Sequence, residues 1–569
     1  MASFCASADD AVDAHARRVT ALADRWVEQV EKRFPVTYLG SGLPTDRHDS
    51  LEQNAPHELA SWREFLASIE QELATVPEVA LIGRPEWVTW HYMRQGLAQN
   101  EAARLCRTEL WQVSAFGWVT HLTHLATLQP VGTEALRLQA LTRWHRVPAW
   151  VDQEIANLRE GMRLRYTATQ SATQAMVAQL DALLATEPGK SAFMSPATRD
   201  DVAGFRADWT ALIEMQVWPA LRRYRDFLRD EYRPRARTSV SLVANTDGLA
   251  CYRATVYANT TVDDDPRELF KAAKARERAE RELALTLGKK VYGEKAGSWR
   301  ALASLVRADS RYAFSSRSEI AAHARATVAR AAAAIDRMVR DPPSAAMKIE
   351  PFPAFMQGSG PGGEYVPGAD DGSRMPIFYF RDDPARQSRG PFEVLVFHET
   401  LPGHHLQAAV LAQNQRASLH PITRVLWFSG PGEGWATYAE GLARELGLYT
   451  SDFEVICALM SSTTPPMVAD LGIQVMGWSQ ARATAYLINA QPLGGAERAE
   501  RMVETITGLP GLAVAYPLGA IQFEQMRAVA TKQLGERFDL REFHRVMLED
   551  GRLPFGAMRS KLKRWVEKQ

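Results

Sequence analysis

Apolar residues recur at helical spacing along most of this 569-residue chain. Residues 9–34 place Val12, Val19, Leu22, Trp26, Val27 and Val30 on one stripe, which is buried efficiently only if the segment coils into a helix. The same period predicts helices over 57–75, 100–127, 148–187, 201–232, 266–288 and 318–340. Pro266 stands where a helix-starting proline is comfortable, and the alanine-rich run Ala321–Val339 is strongly helix-forming. Strand signals are few. Thr238–Ala244 and Cys251–Ala258 alternate and are β-branched, with Asn245-Thr-Asp-Gly248 as a turn between them. Pro376–Phe380 reads as a third strand, and the glycine- and proline-rich stretch Pro351–Gly372 as a loop over a cleft. The expected fold is mainly α, a multi-helix chain with a small antiparallel sheet.

A chain this long exceeds one small core, so two lobes are expected. Residues 1–235 form a helical N-terminal lobe, and 236–569 hold the sheet and the chemistry-bearing helices; the two also read as one continuous domain. Lys plus Arg balance Asp plus Glu at 67 each, so nothing favours nucleic acid or an anionic membrane as a partner. The first residues lack a basic start and an apolar run, and no stretch reaches the length of a membrane span. Cys5, Cys106, Cys251 and Cys457 lie far apart without a CxxC pair, and they read as free thiols. A cytoplasmic location is the resulting expectation.

The chemistry concentrates in Pro391-Phe-Glu-Val-Leu-Val-Phe-His398-Glu399-Thr-Leu-Pro-Gly-His404-His405. In a His-Glu-x-x-His helix two imidazoles one turn apart bind one zinc, and the adjoining Glu polarises its water. Here Pro402 stands where the second His belongs. A seven-residue gap in a straight helix leaves roughly 10 Å of rise, too far for one metal. Pro402 and Gly403 therefore imply a helix bulge that returns His404 or His405 over His398. Glu433 opens a further helix in Gly432-Glu-Gly-Trp-Ala-Thr-Tyr438-Ala-Glu440. Two imidazoles and one carboxylate leave a fourth position for water. Glu440, two turns after Glu433, suits a partner that orients a ligand histidine. His121 and His124 also have ligand spacing, but with no carboxylate companion in the sequence they read as structural.

The run His-Glu-x-x-Pro-Gly-His-His-Leu-Gln followed by Glu-Gly-Trp-Ala-x-Tyr-Ala-Glu resembles the family filed as domain of unknown function 885. That family is regarded as zinc-peptidase-like and gluzincin-related. The resemblance extends to Leu158-Arg-Glu-Gly161, Asp371-Gly-Ser-Arg374, Phe378-Tyr379, Gly477-Trp478, Pro510-Gly511, Ala515-Tyr516, Leu518-Gly519 and Phe543-His544. It implies a two-lobed metallopeptidase-like fold with a deep cleft. It implies His398, His404 and Glu433 as zinc ligands, with His405 as the alternative, and Glu399 as general base. The chain departs from the family at Gln474, where a His is usual, and at Thr505-Ile506, where Arg-Tyr is usual.

The expected activity is zinc-dependent hydrolysis of amide bonds in small peptides. Tyr516 is the candidate oxyanion donor, and Arg374 and Tyr379 are the candidate substrate-binding residues. A specialised biosynthetic enzyme acting on a modified amino acid or small amide is the second reading, motivated by Gln474 and Thr505. A silent binding protein on a peptidase scaffold is the third, and the presence of Glu399 argues against it.

Overall fold

A computed structural model describes residues 8–114, 117–344, 346–353, 362–368, 374–415 and 419–569. The chain forms two compact units. The first comprises residues 1–254 and takes back Leu419–Leu426 and Thr507–Leu509; the second holds Thr255–Ser418, Trp427–Ile506 and Pro510–Gln569. Among the described residues no single helix is both long and apolar enough to cross a membrane.

In the first unit, helix α1 (Ala8–Arg33) buries Val19, Leu22, Trp26 and Val30, the stripe its sequence predicts. Two predicted helices are interrupted. The segment expected over 100–127 divides into α2 (Pro85–Cys106) and α3 (Trp118–Leu128), because Arg107 takes a left-handed conformation that ends the first. The segment expected over 148–187 divides into α4 (Val147–Leu164) and α5 (Gln170–Leu184), with left-handed Arg165 closing the first of these. The core here is aromatic: Trp144, Trp209 and Trp218 are at most 1% exposed and meet Phe193.

The strands expected at Thr238–Ala244 and Cys251–Ala258 are absent. Leu242–Ala244 is a short 3-10 turn, and Gly248–Thr260 is helix α6. Tyr252, Val256 and Thr260 are buried at i, i+4 and i+8, so helical burial wins over β-branched alternation. The cysteines also correct the sequence reading. Cys106 and Cys251 form a disulfide, and Cys457 is a buried free thiol. The bridge spans 145 residues within the first unit.

The second unit is built on α7 (Pro266–Tyr292) and a three-stranded sheet. The sheet is mixed, not antiparallel as expected. Strand β1 (Lys348–Pro351) pairs parallel with central β3 (Ile377–Phe380), and β2 (Gly363–Val366) pairs antiparallel with β3 on the other side. The expected third strand at Pro376–Phe380 is thus β3. Part of the expected Pro351–Gly372 loop is β2, and the rest of that stretch lies largely outside the described residues. Phe378 and Phe380 point from one face of β3 onto Phe392 and Val396 of α8 (Arg389–Glu399). Buried Glu393 anchors the start of α8. It accepts hydrogen bonds from Arg330 at 2.9 Å and the Thr450 amide at 2.9 Å. Burial alone would raise its pKa, but His323, Thr450 and Arg330 hold it below the usual carboxylate value.

Helices α9 (His404–Gln415), α10 (Ser429–Glu445), α11 (Asp452–Met460), α12 (Thr464–Val475) and α13 (Leu512–Leu534) complete the part that matters for the site. Helices α10 and α13 touch backbone to backbone. A Cβ on Gly434 would lie 2.3 Å from the Gly519 Cα, and one on Gly519 would lie 2.2 Å from the Gly430 carbonyl oxygen. No side chain fits there, so the approach requires glycine.

The disulfide generates a direct expectation. Thiol titration of denatured, unreduced protein should give no more than two reactive thiols per chain, although the sequence contains four cysteines. Closing so long a loop contributes on the order of 5 kcal/mol in the chain-entropy account, so Cys106→Ser should lower the thermal midpoint by several degrees. Four reactive thiols before reduction would refute the pairing.

Candidate metal centre

Helix α8 ends at Glu399 and α9 begins at His404. The expected bulge is instead a complete break, with Leu401–Pro402 in the cis form. The Gly403 amide reaches back to the Phe397 carbonyl at 3.0 Å, and the His405 amide bonds the Thr400 carbonyl at 3.1 Å. A Cβ on Gly403 would lie 1.8 Å from the His398 carbonyl oxygen, so only glycine allows this fold-back. The Trp435 indole of α10 donates to the Pro402 carbonyl at 3.0 Å and to the Gly403 carbonyl at 3.2 Å.

The break brings the two rings together. The His398 and His404 ring centroids are 4.9 Å apart and mutually perpendicular. One Glu433 oxygen, Oε2, lies 3.4 Å from His398 Nε2 and 3.3 Å from His404 Nε2. The ligand atoms of His398, His404 and Glu433 all lie within 4.8 Å of one another. The chemistry of this donor set fits zinc, which takes two imidazoles and a carboxylate in catalytic sites. Of the two adjacent histidines, His404 joins the cluster. His405 turns away, is 2% exposed, and meets the Tyr365 hydroxyl through Nδ1 at 3.1 Å.

His398 is held from behind. Its Nδ1 lies 2.9 Å from Glu440 Oε1, the position expected of an orienting carboxylate. Burial works against a charged His398, yet bonds to Glu433 and Glu440 and the charge of Glu399 raise its pKa well above the ordinary value. Burial likewise works to raise Glu433, but His404 and His398 overcome it and keep the carboxyl ionised. Glu399 behaves differently: burial raises its pKa despite the nearby histidines. A carboxylate made more basic by burial is suited to taking a proton.

Tyr516 on α13 lies over His398, with centroids 6.1 Å apart and planes within 17°. The charge of Glu433, then burial, raises its phenol pKa well above the ordinary value, so it remains a donor. Tyr365 on β2 is the residue that sequence reasoning missed. Its amide donates to Glu399 Oε2 at 3.0 Å, and its ring shares the face of the sheet that meets α8. The signal was hidden inside a stretch read as loop; the alternation of four residues in β2 is too short to stand out.

The two expected substrate-binding residues are not brought to this cluster. Tyr379 pairs with Glu364 and Glu350, on the face of β3 opposite Phe378, and stacks on Phe352 at 5.8 Å. The two-residue period of a strand sends it away from α8. Arg374 donates to the Pro367 carbonyl at 3.2 Å; its neighbours Asp371 to Ser373 lie outside the described residues. His544 is structural: Tyr438 of α10 meets its Nε2 at 2.8 Å, and burial pushes its pKa down to about 3. His121 and His124 line a cavity of about 260 Å3 in the first unit together with Glu52. Glu52 does not join them as a metal-binding group among the described residues. It is engaged by the Val36 and Thr37 amides and the Thr37 hydroxyl.

Protein dialysed against zinc should retain one ion per chain. His398→Ala and Glu433→Ala should lose it, His405→Ala should keep it, and Glu440→Gln should keep it with roughly 10- to 100-fold weaker affinity. Metal analysis checks all four; loss in His405→Ala alone would reverse the assignment of the second histidine.

The fold has close counterparts among solved structures. A protein from Colwellia psychrerythraea, described as a "putative lipoprotein", superposes with a TM-score of 0.88 at 19% identity, covering 98% of this chain and 100% of that one. A "putative lipoprotein of unknown function" from Shewanella oneidensis superposes with a TM-score of 0.73 at 15% identity, covering 95% of this chain and 98% of that one. At these identities the likeness concerns the fold alone. No curated protein matches the chain. The family profile described as "Bacterial protein of unknown function (DUF885)" matches residues 35–562. The chain belongs to the DUF885 family.

Proposed function

We propose that this protein is a zinc-dependent hydrolase of amide bonds in small peptides. One observation carries the reading: Nε2 of His398, Nε2 of His404 and Oε2 of Glu433 converge on one point, with the Glu399 carboxylate on the residue next to His398. Zinc held there would supply Lewis acidity, polarising a scissile carbonyl and making a water acidic near neutrality (about pH 7 in well-studied sites).

The remaining roles fall to side chains of the second unit. Glu399 takes the proton of the attacking water and returns it to the leaving amine. The Tyr365 amide fixes Glu399 Oε2, and Oε1 accepts no hydrogen bond among the described residues, so one oxygen is held and the other is available. Tyr516, kept protonated by Glu433, donates to the oxygen that becomes negative. Glu440 holds the His398 ring in the orientation that presents Nε2.

The test is a di- to octapeptide mixture read by mass spectrometry, with zinc-loaded wild type beside Glu399→Gln and Tyr516→Phe. Wild type should cleave. Glu399→Gln should retain zinc and lose about 10²- to 10⁴-fold in rate. Tyr516→Phe should lose about 10²- to 10³-fold in kcat, the range seen on removing one oxyanion donor. Absence of cleavage by a wild type that holds zinc would overturn the peptide reading in favour of a specialised small-amide substrate. A wild type that never holds zinc would favour the binding-protein reading.

A further inference from the structure

Behind Glu440, away from the metal cluster, the second unit contains a cavity of about 270 Å3. Glu440 is its shared wall, and none of His398, His404, Glu433 or Tyr516 lines it. Glu433 and Glu440 are seven residues apart on α10, which separates cluster and cavity by roughly 10 Å along the helix.

Part of the lining is already satisfied. Arg276 of α7 donates to Glu280 at 2.9 Å and to Glu524 at 2.8 Å, and Glu280 also accepts the Ser462 and Thr464 hydroxyls. Three groups on one stripe of α10 are not. Thr437 is 7% exposed, and its buried hydroxyl has no hydrogen-bond partner. Glu440 spends Oε1 on His398, while its Oε2 accepts no hydrogen bond among the described residues. Arg444 reaches solvent and makes no ion pair among the described residues. Glu440 and Arg444 stand at i, i+4, a spacing that ordinarily closes an ion pair, and they leave it open. Across from them Leu283, Val455 and Leu459 supply an apolar wall.

An acid and a base on one side, with carbon on the other, is the complement of a zwitterion that carries an apolar side chain. The volume lies below the roughly 300–1,000 Å3 of sites for drug-sized ligands. We propose that this cavity binds a free apolar α-amino acid, with its ammonium on Glu440 Oε2 and its carboxylate on Arg444. The occupant also acts on the metal centre. An ammonium on Glu440 draws charge from the carboxylate that steadies His398, so the bound amino acid weakens zinc affinity. The site stands on its own lining residues and does not depend on the proposed hydrolysis.

The test is calorimetric titration of leucine, N-acetylleucine and leucinamide into zinc-loaded, dialysed protein, alongside Arg444→Met, Thr437→Val and the zinc-poor Glu433→Gln. Leucine should bind at one site per chain. Both blocked derivatives and Arg444→Met should bind about tenfold more weakly or worse, the loss expected for one charge-assisted hydrogen bond. Thr437→Val, whose lost hydroxyl does not open on the cavity, should bind as wild type does. Zinc-poor Glu433→Gln should bind at least as tightly as zinc-loaded wild type, because a ligand that weakens zinc is itself weakened by zinc. Leucine should also lower zinc affinity in wild type and fail to do so in Arg444→Met. No binding of leucine at millimolar concentration overturns the proposal. So does binding that Arg444→Met leaves unchanged, or binding that disappears in Glu433→Gln, which would place the amino acid on the metal instead.

Discussion

The centre of the second unit depends on one buried indole. Breaking the chain between α8 and α9 withdraws the Pro402 carbonyl from helical bonding, while the Gly403 carbonyl still accepts the Gln407 amide at 3.1 Å. A buried carbonyl left unpaired would cost about 1–3 kcal/mol. Trp435 answers the Pro402 carbonyl with its N–H, which also reaches the Gly403 carbonyl, and it stands two residues after Glu433 on α10. The bond that makes the break tolerable is therefore also the bond that fixes His404 relative to Glu433. A straight helix would carry the second imidazole out of reach.

Around this tie the site is assembled from buried charge. His398 lies between Glu433 and Glu440, and each carboxylate is stabilised by the imidazole it holds. Further out, Glu393 fixes the first turns of α8, while His544 and Tyr438 support α10. Neither group meets the ligand cluster. Each burial is compensated locally, as buried ionic groups require. The result is a rigid frame in which the positions of a few nitrogen and oxygen atoms are set from several elements at once.

Much of the cluster was legible because residue type and spacing carry it. Two histidines, a following glutamate and a second glutamate two turns later leave little choice of partners. The Pro402-Gly403 pair showed that the helix could not run straight, although a bulge was expected and a full break is found. Tyr365 was illegible because its strand spans four residues, Gly363 to Val366, within a stretch rich in helix breakers. Tyr379 was misplaced because neighbouring residues of a strand face opposite ways, and sequence alone did not reveal which face met α8. The Thr238–Ala258 region was misread for a related reason. Its β-branched residues satisfy a two-residue alternation, while Tyr252, Val256 and Thr260 satisfy a helix, and only packing decides between them. The Cys106–Cys251 pairing could not be read at all, since a sequence separation of 145 gives no local sign of proximity.

The glycine contact between α10 and α13 has a consequence for how this chain can change. In most cores an enlarged side chain is accommodated by a neighbour that shrinks. At Gly434, Gly519 and Gly430 the atoms in the way belong to backbone. Nothing there can be made smaller, so no second substitution restores the fit. Glu433 sits beside Gly434, and Tyr516 lies one turn from Gly519, so any mutational path that separates these helices also separates a metal-ligand candidate from its neighbouring phenol. The sequence is free to drift over its surface helices, while this seam has no compensating route open to it.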